Sequence, residues 1–191
     1  MGGILHVCTG NQARSPFAER LMIHEFWQHF GPAAHSVLIT SAGTQGPAGV
    51  AMQPMALAEL EQRGVDGSTF RSRQLSGNEA RHAHIVLTAT RSHRDQVVGE
   101  APLALRDKTF TWREIAWLLD GVRASDIPGT YVAEKVLNLP WVAVQRRGFL
   151  TPLPPHRFDV DDPMGGTKKD YRRASGQIAE AIDAIVAALK A

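Results

Sequence analysis

Cys8 and Arg14 form the pair with the most distinctive chemistry in this sequence, because only five residues separate the thiol from the guanidinium. Those five residues are Thr9, Gly10, Asn11, Gln12 and Ala13. Successive backbone N–H groups in a short loop of this kind can converge on one anion. Arg14 can engage two oxygens of a phosphate with its planar guanidinium, which a lysine could not do. The segment therefore predicts a site for a tetrahedral oxyanion.

Cys8 is the only cysteine in the sequence, so it cannot form a disulfide within the chain. A thiol near the start of a helix and beside an arginine is favoured in its thiolate form, which is the nucleophile. Ser15 offers a hydroxyl that can hydrogen-bond the sulfur or cap the helix. Gly10 permits close approach of the backbone, and Asn11 tolerates left-handed dihedral angles. The alternative is an inert, buried cysteine beside a surface arginine and an ordinary turn.

The segments on either side of this loop have the periodicity needed to position it. Residues 4–7 form a short apolar run, which predicts a buried strand. Ser15 supplies a capping hydroxyl and Pro16 suits the first helical position, so a helix is predicted to begin there. Apolar residues continue one face of this helix to Phe30, and Gly31 is predicted to end it. The loop therefore lies between a strand and the positive end of a helix.

The same alternation of strand and helix patterns continues along the chain. Further strands are predicted over residues 37–39 and 85–87. Further helices are predicted over residues 55–62, 91–98 and 112–122, and over a C-terminal stretch that includes Ile178, Ile182, Ile185 and Leu189. Strands alternating with helices predict an α/β fold with a mostly parallel sheet. Ligands of such sheets bind at the carboxyl ends of the strands, and the loop after residue 7 has this position.

The segment around 126–162 is predicted to be a long, irregular excursion. Only residues 132–139 within it have a regular pattern, and it contains the prolines Pro128, Pro140, Pro152, Pro154 and Pro155. We expect this excursion to belong to a single domain of residues 1–191 rather than to link two domains. Long loops near an active site are often lids.

Length and composition exclude several classes of protein. A chain of 191 residues suits one domain, and its 21 Lys and Arg against 19 Asp and Glu give a formal net charge of +2. Such a small charge is not the footprint of a nucleic-acid-binding protein. No run approaches the roughly 18 consecutive apolar residues of a membrane-spanning helix, and residues 1–5 lack the features of a signal peptide. We therefore expect a cytoplasmic protein that binds neither nucleic acid nor membrane.

Three segments, in the expected order, resemble motifs of the low-molecular-weight protein tyrosine phosphatase family. Residues 7–16, with the sequence VCTGNQARSP, resemble the signature loop of that family. Ser41-Ala42-Gly43-Thr44 resembles a motif on the second strand whose serine supports the phosphate loop. Asp162-Pro163 resembles the loop that carries the general acid. The resemblance covers most of the chain and is weakest around residues 100–160.

The resemblance implies a four-stranded parallel sheet flanked by helices and a two-step hydrolysis without metal or cofactor. Cys8 would attack phosphorus to give a cysteinyl-phosphate, and Arg14 would clamp the transition state. Asp162 would protonate the leaving oxygen and then activate the hydrolytic water, with Asp161 as the fallback acid. The implied phosphate-binding residues are Thr9, Gly10, Asn11, Gln12, Ala13, Ser15 and Ser41.

The implied partner is a phosphorylated protein, with phosphotyrosine as the main expectation, and the loop should also hold phosphate or sulfate-like anions. Aromatic residues that wall the substrate ring in many relatives are absent from residues 45–48 and 164–166, which weakens that preference. Gln12 stands at the position that points toward the leaving group, so the choice between phosphotyrosine and phosphoarginine stays open. Ala13 stands where many relatives have a second cysteine, which removes an internal disulfide partner for Cys8.

Two functions from other classes also stay open. An arsenate reductase could use a similar anion loop, but a chain with one cysteine would need an external low-molecular-weight thiol. A catalytically silent phosphate reader is disfavoured because the nucleophile, the arginine and the acid are all present. A metal site is not expected, since His24 and His29 would project about 140° apart on a helix and His82 and His84 lack a nearby third ligand.

Overall fold

The structure is a computed structural model and describes residues 2–151 and 153–190. Met1, Pro152 and Ala191 belong to the predicted domain of residues 1–191, and Pro152 to the predicted excursion, but all three lie outside the described residues. Among the described residues, no helix combines the length and the apolar character needed to cross a bilayer. The elements in chain order are β1 (Gly3–Cys8), α1 (Arg14–Phe30), β2 (Leu38–Gly43), α2 (Pro54–Glu61), α3 (Gly77–His82), β3 (Ile85–Thr88), α4 (Arg91–Glu100), α5 (Pro102–Leu105), β4 (Thr109–Thr111), α6 (Trp112–Leu119), α7 (Val132–Arg146) and α8 (Lys168–Leu189).

The four strands form one parallel sheet in the order β2-β1-β3-β4. All six residues of β1 are buried, because this strand lies between two others and is covered on both faces. Ile4, Leu5 and Val7 supply the nearly continuous apolar sequence that such a strand needs. The predicted fold class, a four-stranded parallel sheet flanked by helices, is therefore confirmed. The carboxyl ends of the strands share one edge, where ligands of this architecture bind.

The sheet divides the apolar core into two unequal parts. On one face α1, α6, α7 and α8 bury large side chains such as Phe17, Trp112 and Ile182. On the other face Leu5 and Val7 pack against side chains from α3, α4 and α5. Burying one large apolar side chain stabilises the fold by about 1.5–3 kcal/mol. The edge that carries the anion loop is therefore supported from both sides of the sheet.

Some elements were not predicted from the sequence pattern. β4 has only three residues, Thr-Phe-Thr, which is too short to show a strand period. α7 is a continuous helix of 15 residues inside the segment predicted to be irregular. The expectation that only residues 132–139 of the 126–162 excursion are regular is therefore wrong.

Pro140 lies inside α7 and accounts for this difference. A proline lacks the N–H of a helical residue and crowds the carbonyl four residues earlier, so the pattern predicted the helix to end before it. In the structure Val136, Leu139 and Val142 are buried in the larger core on both sides of the proline. Tertiary burial of one face therefore outweighs the local preference against helix.

Candidate active site

The anion loop, residues 9–13, lies between the carboxyl end of β1 and the first residue of α1. The N-cap of α1 is Ala13, whose methyl group cannot accept a hydrogen bond. The prediction that Ser15 caps this helix is wrong, because Ser15 is its second residue and its hydroxyl lies beside the cysteine sulfur. The first N–H groups of a helix have no intrahelical acceptor, so this end of α1 presents positive potential to the loop.

Cys8 is the last residue of β1 and is 3% exposed. Its Sγ lies 3.0 Å from Ser15 Oγ. Asn11 Nδ2 donates to the same hydroxyl at 2.9 Å, and the alternative acceptor for the hydroxyl proton, Ala42 O, is at 3.5 Å. The hydroxyl of Ser15 is therefore placed to donate to the sulfur, which favours the charged, nucleophilic form.

Asn11 holds the shape of the anion loop. It is fully buried and has a φ of 50°, in the left-handed region that asparagine tolerates better than most residues. Its Nδ2 donates to Ser15 Oγ at 2.9 Å and to Ser41 Oγ at 2.8 Å, and its Oδ1 accepts the backbone N–H of Arg73 at 2.9 Å. One side chain thus links the loop to α1, to β2 and to the segment before α3.

Ser41 extends this network to a carboxylate that the sequence analysis did not identify. The Ser41 hydroxyl accepts from Asn11 and donates to Glu19 Oε2 at 2.7 Å. Burial raises the pKa of Glu19, and the hydrogen bond from Ser41 opposes that shift. The serine motif on β2 therefore supports the loop through Asn11, and Glu19 on α1 orients the serine.

Gly43 permits a close backbone approach between the end of β2 and the anion loop. A Cβ atom at residue 43 would lie 2.5 Å from Thr9 O and 2.9 Å from Asn11 N, whereas a Cβ at residue 10 would meet no described protein atom within 4 Å. Only glycine therefore lets the end of β2 pack against the anion loop. The N–H of Thr44 then donates to Cys8 O at 2.9 Å.

Arg14 connects the loop with the predicted general acid. Its side chain is 4% exposed, its Nη1 donates to Val160 O at 3.0 Å, and its Nη2 lies 2.8 Å from Asp162 Oδ2. Asp162 is 48% exposed, so its carboxylate is open to a substrate. The fallback acid Asp161 faces elsewhere, because its Oδ2 lies 3.4 Å from Arg173 Nη2. The geometry therefore favours Asp162 over Asp161.

The acid loop, residues 159–164, is anchored at the junction of β3 and α4. Val160 N donates to Ala89 O at 2.8 Å, and Asp159 accepts the backbone N–H of Arg91 at 2.7 Å and its guanidinium at 2.9 Å. Burial acts to raise the pKa of Asp159, but the hydrogen bonds from Arg91 outweigh it and hold that pKa below its ordinary value. These contacts hold the chain on the N-terminal side of Asp162 in place.

Gln12 lies at the rim of the loop with a partner from the next segment. Gln12 Oε1 accepts from Gln53 Nε2 at 3.2 Å, and the backbone N–H of Gln53 donates to Gln12 O at 2.8 Å. Two carboxamides therefore stand together beside the loop. Gln53 directly precedes α2, and no local sequence signal identified it.

The structure brings the predicted site residues together at the carboxyl edge of the sheet. They are Cys8, Thr9, Gly10, Asn11, Gln12, Ala13, Arg14 and Ser15 along one continuous segment, Ser41 behind the loop, and Asp162 in front of Arg14. Residues that touch this site but were not predicted are Glu19, Gly43, Gln53, Arg73 and His93. In the part of the chain that the structure describes, no three His, Cys, Asp or Glu side chains are grouped as a metal site would need.

Comparisons with known sequences match this geometry. The sequence model of the family described as low molecular weight phosphotyrosine protein phosphatase matches residues 3–116. A protein-arginine-phosphatase of Geobacillus stearothermophilus is 27% identical over 187 residues, which cover 98% of this chain and 95% of that protein. A putative low molecular weight protein-tyrosine-phosphatase of Klebsiella pneumoniae is 30% identical over 128 residues, which cover 67% of this chain and 78% of that protein.

Comparison with solved structures gives the same result for the fold. The YwlE arginine phosphatase from Geobacillus stearothermophilus superposes with a TM-score of 0.66 at 28% sequence identity. The match covers 97% of this chain and 91% of that structure, so it extends beyond residue 116 into the part of the chain that carries the acid loop.

Proposed function

The chain belongs to the low molecular weight phosphotyrosine protein phosphatase family, and from this premise we propose that it hydrolyses phosphoryl groups on protein side chains through a cysteinyl-phosphate at Cys8. The observation that supports the proposal best is the meeting of three groups at one loop. The Cys8 sulfur lies at the start of the loop, the Arg14 guanidinium at its end, and the Asp162 carboxylate 2.8 Å from that guanidinium.

In the first step the Cys8 thiolate attacks phosphorus in line with the leaving group. The S–P bond forms as the bond from phosphorus to the leaving atom breaks, and Asp162 donates its proton to that atom. The amides of residues 9–13 and the guanidinium of Arg14 hold the equatorial oxygens, where charge stabilisation contributes most to phosphoryl transfer. The products of this step are a dephosphorylated side chain and a phosphorylated cysteine.

In the second step a water molecule attacks the phosphorus of the cysteinyl-phosphate. Asp162, now a carboxylate, accepts a proton from the water, and the P–S bond breaks with its electron pair returning to Cys8. Ser15 Oγ, 3.0 Å from the sulfur, is placed to donate a hydrogen bond to the leaving thiolate. Inorganic phosphate leaves the loop, and the thiolate and the protonated acid are ready for another cycle.

The leading substrate is phosphotyrosine in a protein, as for the relatives named protein-tyrosine-phosphatases. Phosphoarginine is a second candidate, supported by the rim of the site. Residues 45–48 and 163–166 contain no aromatic side chain that could stack on a phenyl ring. The carboxamides of Gln12 and Gln53 instead offer oxygen acceptors that suit the N–H groups of a guanidinium. The arginine phosphatase relative matches over nearly the whole chain.

Hydrolysis of p-nitrophenyl phosphate in the presence of EDTA tests the chemistry. The wild type should turn over, Cys8→Ser should lose nearly all activity, and Arg14→Lys should lose most because an ammonium cannot grip two oxygens. Arg106→Lys is the matched control, since this exposed arginine pairs only with its neighbour Asp107 among the described residues. Full activity in Cys8→Ser, or arsenate reduction with an external thiol but no phosphatase turnover, would contradict the proposal.

Two peptides of one sequence, carrying phosphotyrosine or phosphoarginine, test the substrate. Gln12→Leu removes one carboxamide from the rim and puts an apolar side chain of similar bulk in its place. If phosphoarginine is the substrate, this change should lower kcat/KM for the phosphoarginine peptide and leave that for phosphotyrosine unchanged or higher. Gln28→Leu is a matched control away from the loop, since Gln28 lies exposed in the last turn of α1. Equal losses on both peptides would mean that Gln12 does not select the leaving group.

A further inference from the structure

His93 makes a side-chain contact with the anion loop that the mechanism above does not use. Its Nε2 lies 2.8 Å from the hydroxyl of Thr9, the residue directly after the nucleophile. Its Nδ1 lies 2.7 Å from Thr90 Oγ1. The imidazole is 8% exposed and lies in the first turn of α4. A buried side chain with both ring nitrogens engaged is held in one orientation.

The contacts of the Thr90 hydroxyl are consistent with a ring proton on Nε2 of His93. Thr90 is the N-cap of α4, and its Oγ1 already accepts the backbone N–H of His93 at 3.3 Å. The single proton of this hydroxyl can then be donated to Nδ1, which leaves Nε2 protonated. With the ring proton assigned to Nε2, Nε2–H donates to Thr9 Oγ1. This arrangement satisfies the helix cap and both ring nitrogens, and the Thr9 hydroxyl keeps its own proton for donation.

The imidazole is neutral under ordinary conditions. Burial and the positive charge of Arg14 together lower the pKa of His93 to about 4, against the opposing charges of Asp162 and Asp159. A neutral ring adds no positive charge beside Arg14. Its effect on the loop is therefore directional, through one donated hydrogen bond, and not a general change in charge.

The start of α4 is attached to both loops of the site. His93 contacts the anion loop through Thr9, while Ala89 and Arg91 hold the acid loop through Val160 and Asp159. The N-cap interaction of Thr90 fixes the position of His93 relative to these contacts. The segment 89–93 thus sets the distance between the nucleophile loop and the loop of the general acid.

We propose that His93 is a positioning residue of the phosphoryl-transfer site, which holds Thr9 and thereby the N–H groups of the anion loop in the geometry that receives the equatorial oxygens. The inference rests on the proposed function. Positioning errors of about 1 Å at such sites cost about a hundredfold in rate. The loss should appear in phosphate binding and in phosphoryl transfer together, because the same amides serve both.

A double-mutant cycle on His93 and Thr9 tests this role. His93→Phe and Thr9→Val should each lower kcat/KM for p-nitrophenyl phosphate by about tenfold to a hundredfold and raise the inhibition constant of inorganic phosphate by a similar factor. The double variant should be no worse than the poorer single variant, and His93→Gln, which keeps a donor, should recover part of the loss. His82→Phe is the matched control, because His82 lies exposed on α3 with its Nδ1 on Asn78 O.

Several outcomes would overturn the inference. Additive losses in the cycle would show that His93 does not act through Thr9. A loss confined to substrates with poor leaving groups would place the defect in the acid loop. Unchanged phosphate inhibition in His93→Phe, with lowered thermal stability alone, would reduce His93 to a structural part of α4. Nitrogen-15 shifts of the wild-type ring should show Nε2 protonated, and an Nδ1-protonated ring would contradict the direction of the hydrogen bond.

A measurement without turnover separates this inference from the proposed function. Cys8 is the only thiol in the chain, so iodoacetate labels a single site and inorganic phosphate should protect it. If the wild type hydrolyses no phosphoester, the proposed function fails, while the protection constant still reports the shape of the loop. Protection should then weaken in His93→Phe and Thr9→Val but not in His82→Phe. Equal protection in all variants would contradict a positioning role.

Discussion

Arg14 and Asp162 form an ion pair in which Nη2 and Oδ2 are 2.8 Å apart, with the arginine side chain buried and the aspartate half exposed. The other terminal nitrogen of the Arg14 guanidinium, Nη1, donates to Val160 O. A phosphoryl group in the anion loop needs the same guanidinium for two of its oxygens. We therefore expect Asp162 to exchange its contact with Arg14 for one with the leaving group when substrate binds.

Substitution of Asp162 should have an effect that depends on the leaving group. Asp162→Asn should lower kcat/KM by about 10²–10⁴ for an alkyl or poor aryl phosphate, because no proton can be supplied. The loss should be much smaller for p-nitrophenyl phosphate, whose leaving group needs no proton. The measurement is a series of aryl phosphates, in which the variant should show a steeper dependence on leaving-group basicity. Asp162→Asn should also bind inorganic phosphate more tightly, because the competitor for Arg14 is gone.

The neighbouring carboxylate provides the control for that experiment. Asp161 pairs with Arg173 at 3.4 Å and is 66% exposed. Asp161→Asn should therefore retain nearly wild-type rates across the whole series. If Asp161→Asn instead shows the steep dependence, the two aspartates have the opposite roles.

Replacement of Asn11 should destabilise the fold and impair the site together. Asn11→Ala removes its hydrogen bonds to Ser15, Ser41 and Arg73 N, and places an alanine at a φ of 50°. The lost bonds and the left-handed backbone should together cost about 2–4 kcal/mol of unfolding free energy. Urea unfolding measures the loss, and kcat should fall at least about tenfold because the loop loses its support.

Asn11→Gly separates the two causes of that loss. Glycine makes no side-chain hydrogen bond but adopts a positive φ without strain. It should be more stable than Asn11→Ala by about 1 kcal/mol, the cost of the left-handed conformation. If the two variants are equally stable, backbone strain is not part of the role of Asn11.

Oxidation should inactivate the enzyme without an internal route to recovery. Cys8 is the only thiol, and Ala13, which is 5% exposed, stands just before Arg14. Peroxide should convert Cys8 to sulfenic acid and then to sulfinic and sulfonic acids, and only the first can be reduced by an added thiol. Mass spectrometry of the intact chain follows these products. Ala13→Cys should divert the sulfenic acid into a disulfide and restore recovery with reductant. A wild type that recovers as fully as this variant would contradict the prediction.

Acid should destabilise the protein through His6, which is fully buried two residues before Cys8. Burial lowers the pKa of His6 from 6.5 to about 3. The unfolded chain therefore binds more protons between these values, so stability is fully present above pH 6.5 and falls as the pH drops toward 3. The slope from this one group is up to about 1.4 kcal/mol per pH unit.

Urea unfolding of His6→Asn across this pH range measures that contribution. Trp112 Nε1 donates to His6 Nδ1 at 2.9 Å, and the amide oxygen of the variant can still accept this bond, but the smaller side chain leaves part of the buried ring's space empty, so stability at neutral pH should also be lower. The decisive quantity is the slope of the unfolding free energy against pH. In the variant this slope should be smaller, by up to the amount that the uptake of one proton on unfolding contributes. His82→Asn, an exposed histidine on α3, should keep the wild-type slope. An unchanged slope in His6→Asn would mean that His6 is protonated in the native state.

The sequence predicted the chemical centre because its signals are local. Cys8, the anion loop and Arg14 are one continuous segment between a buried strand and a helix, so residue types and spacing carried the whole pattern. Asp162 is far along the chain, and only a family resemblance linked it to that centre. The structure adds the contact between Arg14 and Asp162, which no periodicity could reveal.

Supporting residues could not be predicted because each acts across elements. Glu19 reaches the loop through Ser41, Gln53 reaches it through Gln12, and His93 reaches it through Thr9. Gly43 was read as part of a strand motif, and only the packing of β2 on the loop shows why a side chain would not fit. Such contacts depend on which strands are neighbours, and a single sequence does not state that order.

The close packing of the end of β2 on the anion loop means that some residues of the site can be substituted more freely than others. Gly43 and Thr44 attach the anion loop to the sheet, so a substitution at either residue should destabilise the fold. Gln12, Gln53 and Met164 lie around the anion loop and contribute little to the apolar core. New substrate preferences can therefore arise by exchange at these outer positions while the same hydrolytic chemistry is inherited unchanged.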